Sequence, residues 1–187
     1  MQTKFYGLTF VSEPGRVFSP RPTTEKLVAA ALERVGGGHA RVADIGTGSG
    51  VVAITLALRA PRIDVWASDT CASALRVASG NAARLGAQLH LVHGDLLEGL
   101  PRDLDLIVAN LPYLPPGTPG YENEPAAAVF SSGDGLDHYR RLLADAADHL
   151  TDDGGVILQF DGDVLEAERS ELRWLLGRLE SSVAAAA

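Results

Sequence analysis

The stretch from Val42 to Gly50 constrains the fold of this chain more than any other feature, because it joins small apolar residues to three closely spaced glycines. An apolar run that ends in such a glycine loop is typical of a buried β-strand that turns directly into a helix. Backbone amides of the loop, together with the helix N-terminus, then face a ligand above the sheet edge. The stretch therefore predicts a ligand-binding turn in a parallel sheet.

Elsewhere, short runs rich in valine and isoleucine alternate with longer stretches of helical periodicity. This alternation indicates an α/β fold, with a parallel sheet and helices on both of its faces. Strands are predicted at about 41–46, 63–68, 88–92, 103–109 and 155–160. Helices are predicted at about 24–35, 50–59, 71–85, 135–150 and 163–179.

The first twenty residues predict a small hairpin ahead of the first helix. Its apolar stretches are Phe5 to Val11 and Val17-Phe18, and Glu13-Pro14-Gly15 between them is a turn signal. The hairpin is expected at about 4–20 and the core at about 24–180. A length of 187 residues with 46% hydrophobic content favours a single globular domain.

Charge and cysteine content narrow the functional classes. Against 24 acidic residues stand 16 basic ones, and the net charge of −8 repels phosphate backbones, so nucleic acid is the weaker partner hypothesis. The sequence has no apolar run that could cross a membrane and no signal segment at its start, so we expect a cytoplasmic protein. Cys71 is the only cysteine and the five histidines lack metal-ligand spacing, so we expect neither a disulfide nor a metal site.

The spacing of the glycines separates two classes of ligand. Dinucleotide-binding loops read G-x-G-x-x-G, whereas Gly46, Gly48 and Gly50 read G-x-G-x-G. This form resembles motif I of the class I methyltransferases, which implies S-adenosyl-L-methionine (SAM) as the cofactor. Glycine lets the chain turn tightly and lets a ligand approach the backbone, and we assign Thr47 in the same loop to the cofactor as well.

Three aspartates are candidate cofactor contacts. Asp44 lies within the first predicted strand of the sheet, where a buried carboxylate needs partners, and we expect it to bond the loop amides and favour a cationic cofactor. Asp69 ends the next strand, where a carboxylate can accept both ribose hydroxyls. Asp95 follows the third strand and suits an adenine amino group, although a solvated turn aspartate explains it equally well.

Asn110 ends the fourth strand and is followed by Leu111, Pro112 and Tyr113. Proline has no amide hydrogen, so the strand stops there. The Asn110 side-chain oxygen and the Leu111 carbonyl can each accept one hydrogen of an NH2 group, while Tyr113 covers its flat face. Two fixed acceptors orient a planar nitrogen towards a methyl donor without a metal or a covalent intermediate. We therefore assign residues 110–113 to catalysis, with Asn110 also contacting the cofactor; the alternative is an ordinary Asn-x-Pro turn.

The loop from Pro115 to Glu124 contains three prolines and two glycines and is predicted to form a lid over the substrate. Tyr121 and Glu124 in this loop are candidate substrate contacts, and its glutamates suit a basic substrate segment. Arg21 is a further candidate, for the cofactor carboxylate or an acidic substrate group. A salt bridge that anchors the hairpin explains Arg21 equally well.

Taken together, these residues resemble the HemK/PrmC protein-(glutamine N5) methyltransferases over roughly residues 4–160. The resemblance is carried by the glycine loop and by the segments Phe5-Tyr6-Gly7-Leu8, Ser19-Pro20-Arg21-Pro22-Thr23-Thr24-Glu25, Asn110-Leu111-Pro112-Tyr113 and Tyr121-Glu122-Asn123-Glu124-Pro125 through Gly133-Asp134-Gly135-Leu136-Asp137 to Tyr139-Arg140. It implies a Rossmann-like sheet with strand order 3-2-1-4-5, SAM as cofactor, and a glutamine amide of a protein, typically a translation release factor, as acceptor.

The chain also departs from that family. Leu111 stands in place of a proline, Thr23 in place of a glutamate, and Gln159 where a glutamate often ends the fifth strand. The helical N-terminal domain that grips the release factor in bacterial members is expected to be absent, as are the final strands of the sheet. The fifth strand would then be an exposed edge, and we expect a homodimer or a partner chain to cover it.

The sequence thus favours a SAM-dependent methyltransferase that modifies a glutamine amide of a protein. An adenine N6-methyltransferase acting on RNA or DNA is the enzymatic alternative, because an exocyclic amine offers the same two hydrogens. A catalytically inactive SAM-binding subunit is the alternative of another class.

Overall fold

The predicted alternation of strands and helices is present in the structure, a computed structural model that describes residues 1–13 and 15–186. The strands are β1 Gln2–Phe5, β2 Leu8–Val11, β3 Arg41–Ile45, β4 Asp64–Asp69, β5 His90–His93, β6 Leu104–Ala109, β7 Leu150–Phe160 and β8 Asp163–Glu168. The helices are α1 Thr24–Val35, α2 Val51–Arg59, α3 Ala72–Leu85, α4 Asp137–His149 and α5 Leu172–Ala186.

Six strands form one sheet in the order β5-β4-β3-β6-β7-β8. The first five are parallel, which confirms the predicted order 3-2-1-4-5. After β3, the chain adds β4 and then β5 on one side of β3. It then crosses over, and β6 pairs with the other side of β3. The order of the strands therefore reverses between β3 and β6, the position at which open α/β sheets bind their ligands.

The predicted helix at 163–179 is wrong in its first half. Residues 163–168 form β8, which pairs antiparallel with β7, and only the later residues form α5. The two strands are joined by Asp161 and Gly162, both with positive φ (49° and 81°), the geometry of a two-residue hairpin turn. An exposed edge at β7 was also a wrong expectation, because β8 of the same chain occupies it, and with that edge paired the reason for a covering partner chain disappears.

The N-terminal hairpin is shorter than expected. β1 and β2 pair antiparallel around a turn at Tyr6 and Gly7 and form a separate two-stranded sheet. Val17 and Phe18 lie in no strand, so the second arm predicted from them is wrong. Pro14, the centre of the predicted turn, lies outside the described residues.

Two apolar cores cover the two faces of the sheet, which confirms helices on both sides. Successive residues of a strand point to opposite faces, so Val42 enters one core and Ala43 the other. One core packs α1, α2 and the hairpin against the sheet, and the other packs α4 and α5. In the described part of the chain, no helix combines the length and apolar character needed to cross a membrane.

Candidate functional site

A cavity of about 520 Å³ opens at the carboxyl ends of the parallel strands. Its walls come from the loops that follow β3, β4, β5 and β6 and from the segment that precedes α1. Most residues assigned to a site from the sequence line it, namely Arg21, Asp44, Gly46, Thr47, Gly48, Asp69, Asp95, Asn110, Leu111, Pro112, Tyr113 and Tyr121. Gly50 and Glu124 are not in its lining.

The glycine loop contacts the turn that follows β6. Gly46 has a φ of 71°, a conformation that favours glycine, and a Cβ atom there would lie 2.9 Å from Cδ2 of Leu111, whose side chain would have to shift. Gly50 faces the other way. A Cβ atom on it would lie 2.8 Å from Cδ1 of Ile54 and 3.1 Å from Cβ of Ala78, so the space at Gly50 is taken up by the packing of α2 on α3.

Asp44 is buried, with 2% of its surface exposed. Its Oδ2 accepts hydrogen bonds from the Thr47 hydroxyl at 2.7 Å and the Ala53 amide at 3.1 Å. The partners therefore differ from the expected glycine amides: one is a loop hydroxyl and the other an amide in the first turn of α2. Burial raises the pKa of the Asp44 carboxyl group to about 6, against the effect of these two hydrogen bonds.

Asp69 is the carboxylate that binds a glycine-loop amide. Its Oδ2 accepts the Gly48 amide at 2.9 Å, and its Oδ1 accepts the Cys71 amide at 2.8 Å. Each carboxylate oxygen has room for a second donor. Asp69 thus joins the loop after β3 to the loop after β4 at the cavity wall.

Asp95 forms an ion pair with Arg141 of α4, and its own amide donates to the Glu98 carboxylate. The side chain is half-buried and lines the cavity. It was assigned to an adenine amino group, with a solvated turn as the alternative. Arg141 binds Oδ2, so the carboxylate is not simply solvated, while Oδ1 can still accept a hydrogen from a ligand.

The turn at residues 110–113 keeps both of its assigned acceptors free. Nδ2 of Asn110 donates to Oγ1 of Thr24 at 3.2 Å, and Oδ1 of Asn110 accepts no hydrogen bond from any described residue. The Leu111 carbonyl lies 3.4 Å from the Tyr139 hydroxyl, but that hydroxyl has a single hydrogen to donate, and the Gln159 carbonyl at 2.5 Å is the nearer acceptor. Two oxygens at the end of β6 can therefore each accept a hydrogen from a ligand.

Tyr113 forms the next part of the wall. Its ring packs against Phe160, with 4.9 Å between the ring centroids. Burial, followed by the proximity of Tyr121 and Asp161, raises the pKa of the Tyr113 hydroxyl above its ordinary value. The phenol is neutral at physiological pH, so the side chain offers a flat, uncharged surface.

Tyr139 was not assigned a role from the sequence, yet it holds this turn in place. The side chain is fully buried in α4, and its hydroxyl accepts the Leu111 amide at 3.2 Å while donating to the Gln159 carbonyl. Burial raises the pKa of the hydroxyl, so it remains a donor. Tyr139 therefore connects the turn after β6 to the end of β7.

The segment before α4 packs against the turn at residues 110–113. A Cβ atom on Gly135 would lie 2.1 Å from the Tyr113 carbonyl oxygen, so the backbones touch there. Asp134 pairs with Arg140 through two hydrogen bonds of 2.8 and 2.7 Å, and Arg140 holds the pKa of that carboxyl group down at about 2. The sequence pointed to this segment only as part of the family resemblance, because neither contact follows from residue spacing.

Arg21 connects two loops beside the cavity. Its guanidinium bonds Oε1 of Glu124 at 3.2 Å, and Oε2 of Glu124 accepts the Ser19 amide at 3.1 Å. The same guanidinium lies over the rings of Phe18 and Tyr121, at 5.1 and 5.8 Å from their centroids. The salt bridge attaches Arg21 to Glu124 of the predicted lid, whereas the alternative given for Arg21 was a salt bridge that anchors the hairpin.

Within residues 1–13 and 15–186, no group of three or more His, Cys, Asp or Glu side chains is arranged to hold a metal ion. The site offers instead carboxylates, free carbonyl oxygens and an aromatic wall. This combination suits a cationic ligand beside a flat group that carries an NH2.

The sequence profile of the methyltransferase small domain family matches residues 7–179. A release factor glutamine methyltransferase from Bordetella pertussis is 39% identical over 178 residues, which cover 91% of this chain and 66% of that protein. One from Bacillus cereus is 41% identical over 153 residues, covering 74% and 53%. The chain thus spans between 53% and 66% of the length of these two curated relatives. A solved methyltransferase structure from Pyrococcus furiosus has the same fold, with a TM-score of 0.63 at 21% identity over 91% of this chain and 75% of that one.

Proposed function

This chain belongs to the methyltransferase small domain family, and from that premise we propose that it transfers a methyl group from SAM to the side-chain amide nitrogen of a glutamine in a protein. A cytoplasmic translation release factor is the proposed substrate. The observation that carries the proposal is the pair of free oxygens at the end of β6, on Asn110 and Leu111. The curated relatives at about 40% identity, which are named release factor glutamine methyltransferases, support the choice of substrate.

The cofactor would lie along the loops after β3 and β4. The cavity volume of about 520 Å³ is of the size that binds small molecules. Asp44, Asp69 and the backbone of Gly46, Thr47 and Gly48 would hold SAM, since carboxylates suit its ammonium group and ribose hydroxyls. When bound, SAM supplies an electrophilic methyl group on a positively charged sulfur. Asp95 would contribute only with its second oxygen, because Arg141 binds the first.

The remaining residues would orient the nucleophile. The nitrogen of an amide is a poor nucleophile because its lone pair is delocalised into the carbonyl group. Asn110 Oδ1 and the Leu111 carbonyl would each accept one hydrogen of the substrate NH2, and the Tyr113 ring would pack on the flat amide. This arrangement aims the nitrogen at the methyl group, so that the N–C bond forms as the S–C bond breaks in line. One proton then leaves the nitrogen.

The test is transfer of tritium-labelled methyl from SAM to a bacterial release factor, with the modified residue identified by mass spectrometry. The label is expected on a glutamine. Asn110→Ala should lower turnover about a hundredfold or more while leaving the affinity for SAM unchanged, because it removes a hydrogen bond made to the reacting group. Gln88→Ala is the matched control, since Gln88 also carries a side-chain amide but is exposed and outside the cavity lining.

Three results would contradict the proposal. Unchanged turnover in Asn110→Ala would reject the role of that residue. Label in RNA or DNA but not in protein would favour the adenine methyltransferase alternative. Binding of SAM without transfer to any acceptor would favour the inactive subunit.

A further inference from the structure

Two side-chain amides line the cavity at the ends of neighbouring strands, Asn110 after β6 and Gln159 in β7. Each donates its NH2 group to a threonine at the start of α1. Nδ2 of Asn110 lies 3.2 Å from Oγ1 of Thr24, and Nε2 of Gln159 lies 3.0 Å from Oγ1 of Thr23. Each of the two adjacent threonines therefore accepts a hydrogen bond from the NH2 end of one of these side-chain amides.

Thr23 stands at the N-cap position of α1 but does not cap the helix. Its φ and ψ are −60° and −28°, and its side chain makes no capping hydrogen bond. A threonine that accepts a backbone amide at this position typically contributes about 1 kcal/mol to stability. The hydroxyl oxygen accepts the Gln159 amide instead, so a local stabilising bond is replaced by one between residues 136 positions apart.

The contacts close into a ring. Thr24 bonds Asn110, whose neighbour Leu111 donates its amide to the Tyr139 hydroxyl. That hydroxyl donates to the Gln159 carbonyl, and the Gln159 side chain returns to Thr23, next to Thr24. The ring ties α1, the turn after β6, α4 and β7 together, and it includes Asn110 and Leu111, which carry the two proposed acceptors. Oε1 of Gln159 is buried and has no hydrogen-bond partner among the described residues.

The direction of the Asn110 amide decides what the site can bind. Turned by 180°, Asn110 would present a donor to the donor hydrogens of a substrate NH2, and the two would repel each other. With its NH2 end on the Thr24 hydroxyl, Asn110 turns its oxygen towards the substrate. Because a hydroxyl can also donate, Thr24 fixes the place of the amide, and the two hydrogens of the substrate NH2 select the direction in which the oxygen faces them. Tyr139 takes the Leu111 amide and, as its nearest acceptor, the Gln159 carbonyl, so the Leu111 carbonyl can still accept from a ligand.

We propose that Thr24 is a positioning residue which holds the Asn110 amide in place and accepts its NH2 group while the oxygen faces the substrate, and that Thr23, Gln159 and Tyr139 complete a hydrogen-bonded ring that holds both acceptors. The inference rests on the proposed function. It adds residues that touch neither cofactor nor nucleophile and act through Asn110 and Leu111.

The kinetic test compares Thr24→Val with Thr24→Ser. The valine variant keeps the shape of the side chain and removes the acceptor, so turnover should fall about tenfold, the effect of one lost hydrogen bond of ordinary strength. KM for SAM should not change. Serine retains the hydroxyl and should restore most of the turnover, which a role in packing alone would not predict. Thr55→Val is the matched control, because Thr55 is fully buried and its hydroxyl bonds only within α2.

A double-mutant cycle tests whether Thr24 acts through Asn110. In Asn110→Ala there is no side-chain amide for Thr24 to hold. Thr24→Val should therefore cost about tenfold in the wild-type background and almost nothing beside Asn110→Ala. An equal cost in both backgrounds would overturn the positioning role.

A readout without substrate separates this inference from the proposed function. The side-chain NH2 signals of Asn110 in a ¹⁵N NMR spectrum, assigned by their loss in Asn110→Asp, should exchange slowly in the wild type and in Thr24→Ser. They should move and exchange rapidly in Thr24→Val. Signals that Thr24→Val leaves unmoved would overturn the ring whatever the enzyme methylates. Wild-type transfer to glutamine that Thr24→Val does not slow would overturn the positioning role alone, whereas no wild-type transfer to any glutamine would overturn both it and the proposed function.

Discussion

Burial inside β3 changes the chemistry of Asp44. Its carboxyl group has a pKa of about 6 in the folded protein against an ordinary value of 3.8. Because the unfolded chain gives up this proton at lower pH, ionisation of Asp44 makes no difference below pH 3.8 and opposes folding increasingly as the pH rises to about 6. A cationic ligand would favour the ionised form, so this loss of folding stability applies to the protein without a ligand.

We expect Asp44→Asn to show this cost directly. Between pH 4 and pH 7, the free energy of unfolding of the variant should rise by about 2 kcal/mol relative to the wild type. Urea unfolding of both proteins over this range, without SAM, measures the difference. A difference that does not vary with pH would show that Asp44 does not titrate as its burial requires.

Single residues also show which contacts cannot be predicted from the sequence. Asp44 was assigned to the loop amides and Asp69 to ribose hydroxyls of the cofactor, and both line the cavity, because the carboxyl ends of parallel strands meet at one edge. Which carboxylate binds which amide depends on distances between separate loops, and there Asp69 holds the amide expected for Asp44. Tyr139 and Thr24 were missed for the same reason, since their partners lie 28 and 86 residues away.

At the scale of elements, the segment just before α4 fixes the position of the turn at residues 110–113. Gly135 has a φ of 94°, and a Cβ atom on it would collide with the Tyr113 carbonyl, which is backbone and cannot rotate away. Gly133, two residues earlier, also has a positive φ of 62° but has open space around it. Alanine substitutions at Gly133 and Gly135 therefore separate the free-energy cost of a left-handed backbone from the cost of the contact with Tyr113.

Gly133→Ala should therefore lower the free energy of unfolding by about 1 kcal/mol, the cost of a left-handed alanine. Gly135→Ala should lower it by about 2 kcal/mol or more and also reduce turnover, because the turn must move. Denaturant unfolding and the methyl-transfer assay measure both effects. Equal losses in the two variants would mean that the contact with Tyr113 does not support the turn.

The elements themselves were predictable to different degrees. Four of the five helices and the five parallel strands follow from apolar periodicity, and their predicted positions are confirmed to within a few residues except at the start of β7, which begins at Leu150. β8 was missed because its half-buried residues, such as Val164 and Leu165, also fit a helical pattern. The Asp-Gly pair at 161–162 was the available signal, since it is typical of a two-residue hairpin.

At the scale of the whole molecule, the resemblance to glutamine methyltransferases inferred from short motifs is confirmed by relatives that are 39% and 41% identical. The fold class is confirmed as well. The contacts of the lid segment could not be predicted in this way, because they depend on how distant parts of the chain meet rather than on local pattern.

Binding of SAM should stabilise the whole fold. At a concentration a hundred times Kd, a ligand adds about 2.7 kcal/mol, which raises Tm by roughly 5–10 °C in a chain of this size. Asp69→Ala should abolish most of this shift, since Asp69 joins two of the loops that would hold SAM. Asp145→Ala, an exposed aspartate of α4 outside the cavity lining, should keep it. Thermal unfolding with and without SAM decides, and an undiminished shift in Asp69→Ala would place the cofactor elsewhere.

The hydrogen-bonded ring around Asn110 has a consequence for the folding of the chain. Its bonds span 20, 28, 86 and 136 residues, so they close only after α1, the turn after β6, α4 and β7 have all docked. Local pieces of the protein cannot assemble it, and contacts of such long sequence separation form late in folding. A nascent chain whose residue 159 is still inside the ribosome therefore cannot form the ring, and the Asn110 amide is held only once β7 is in place.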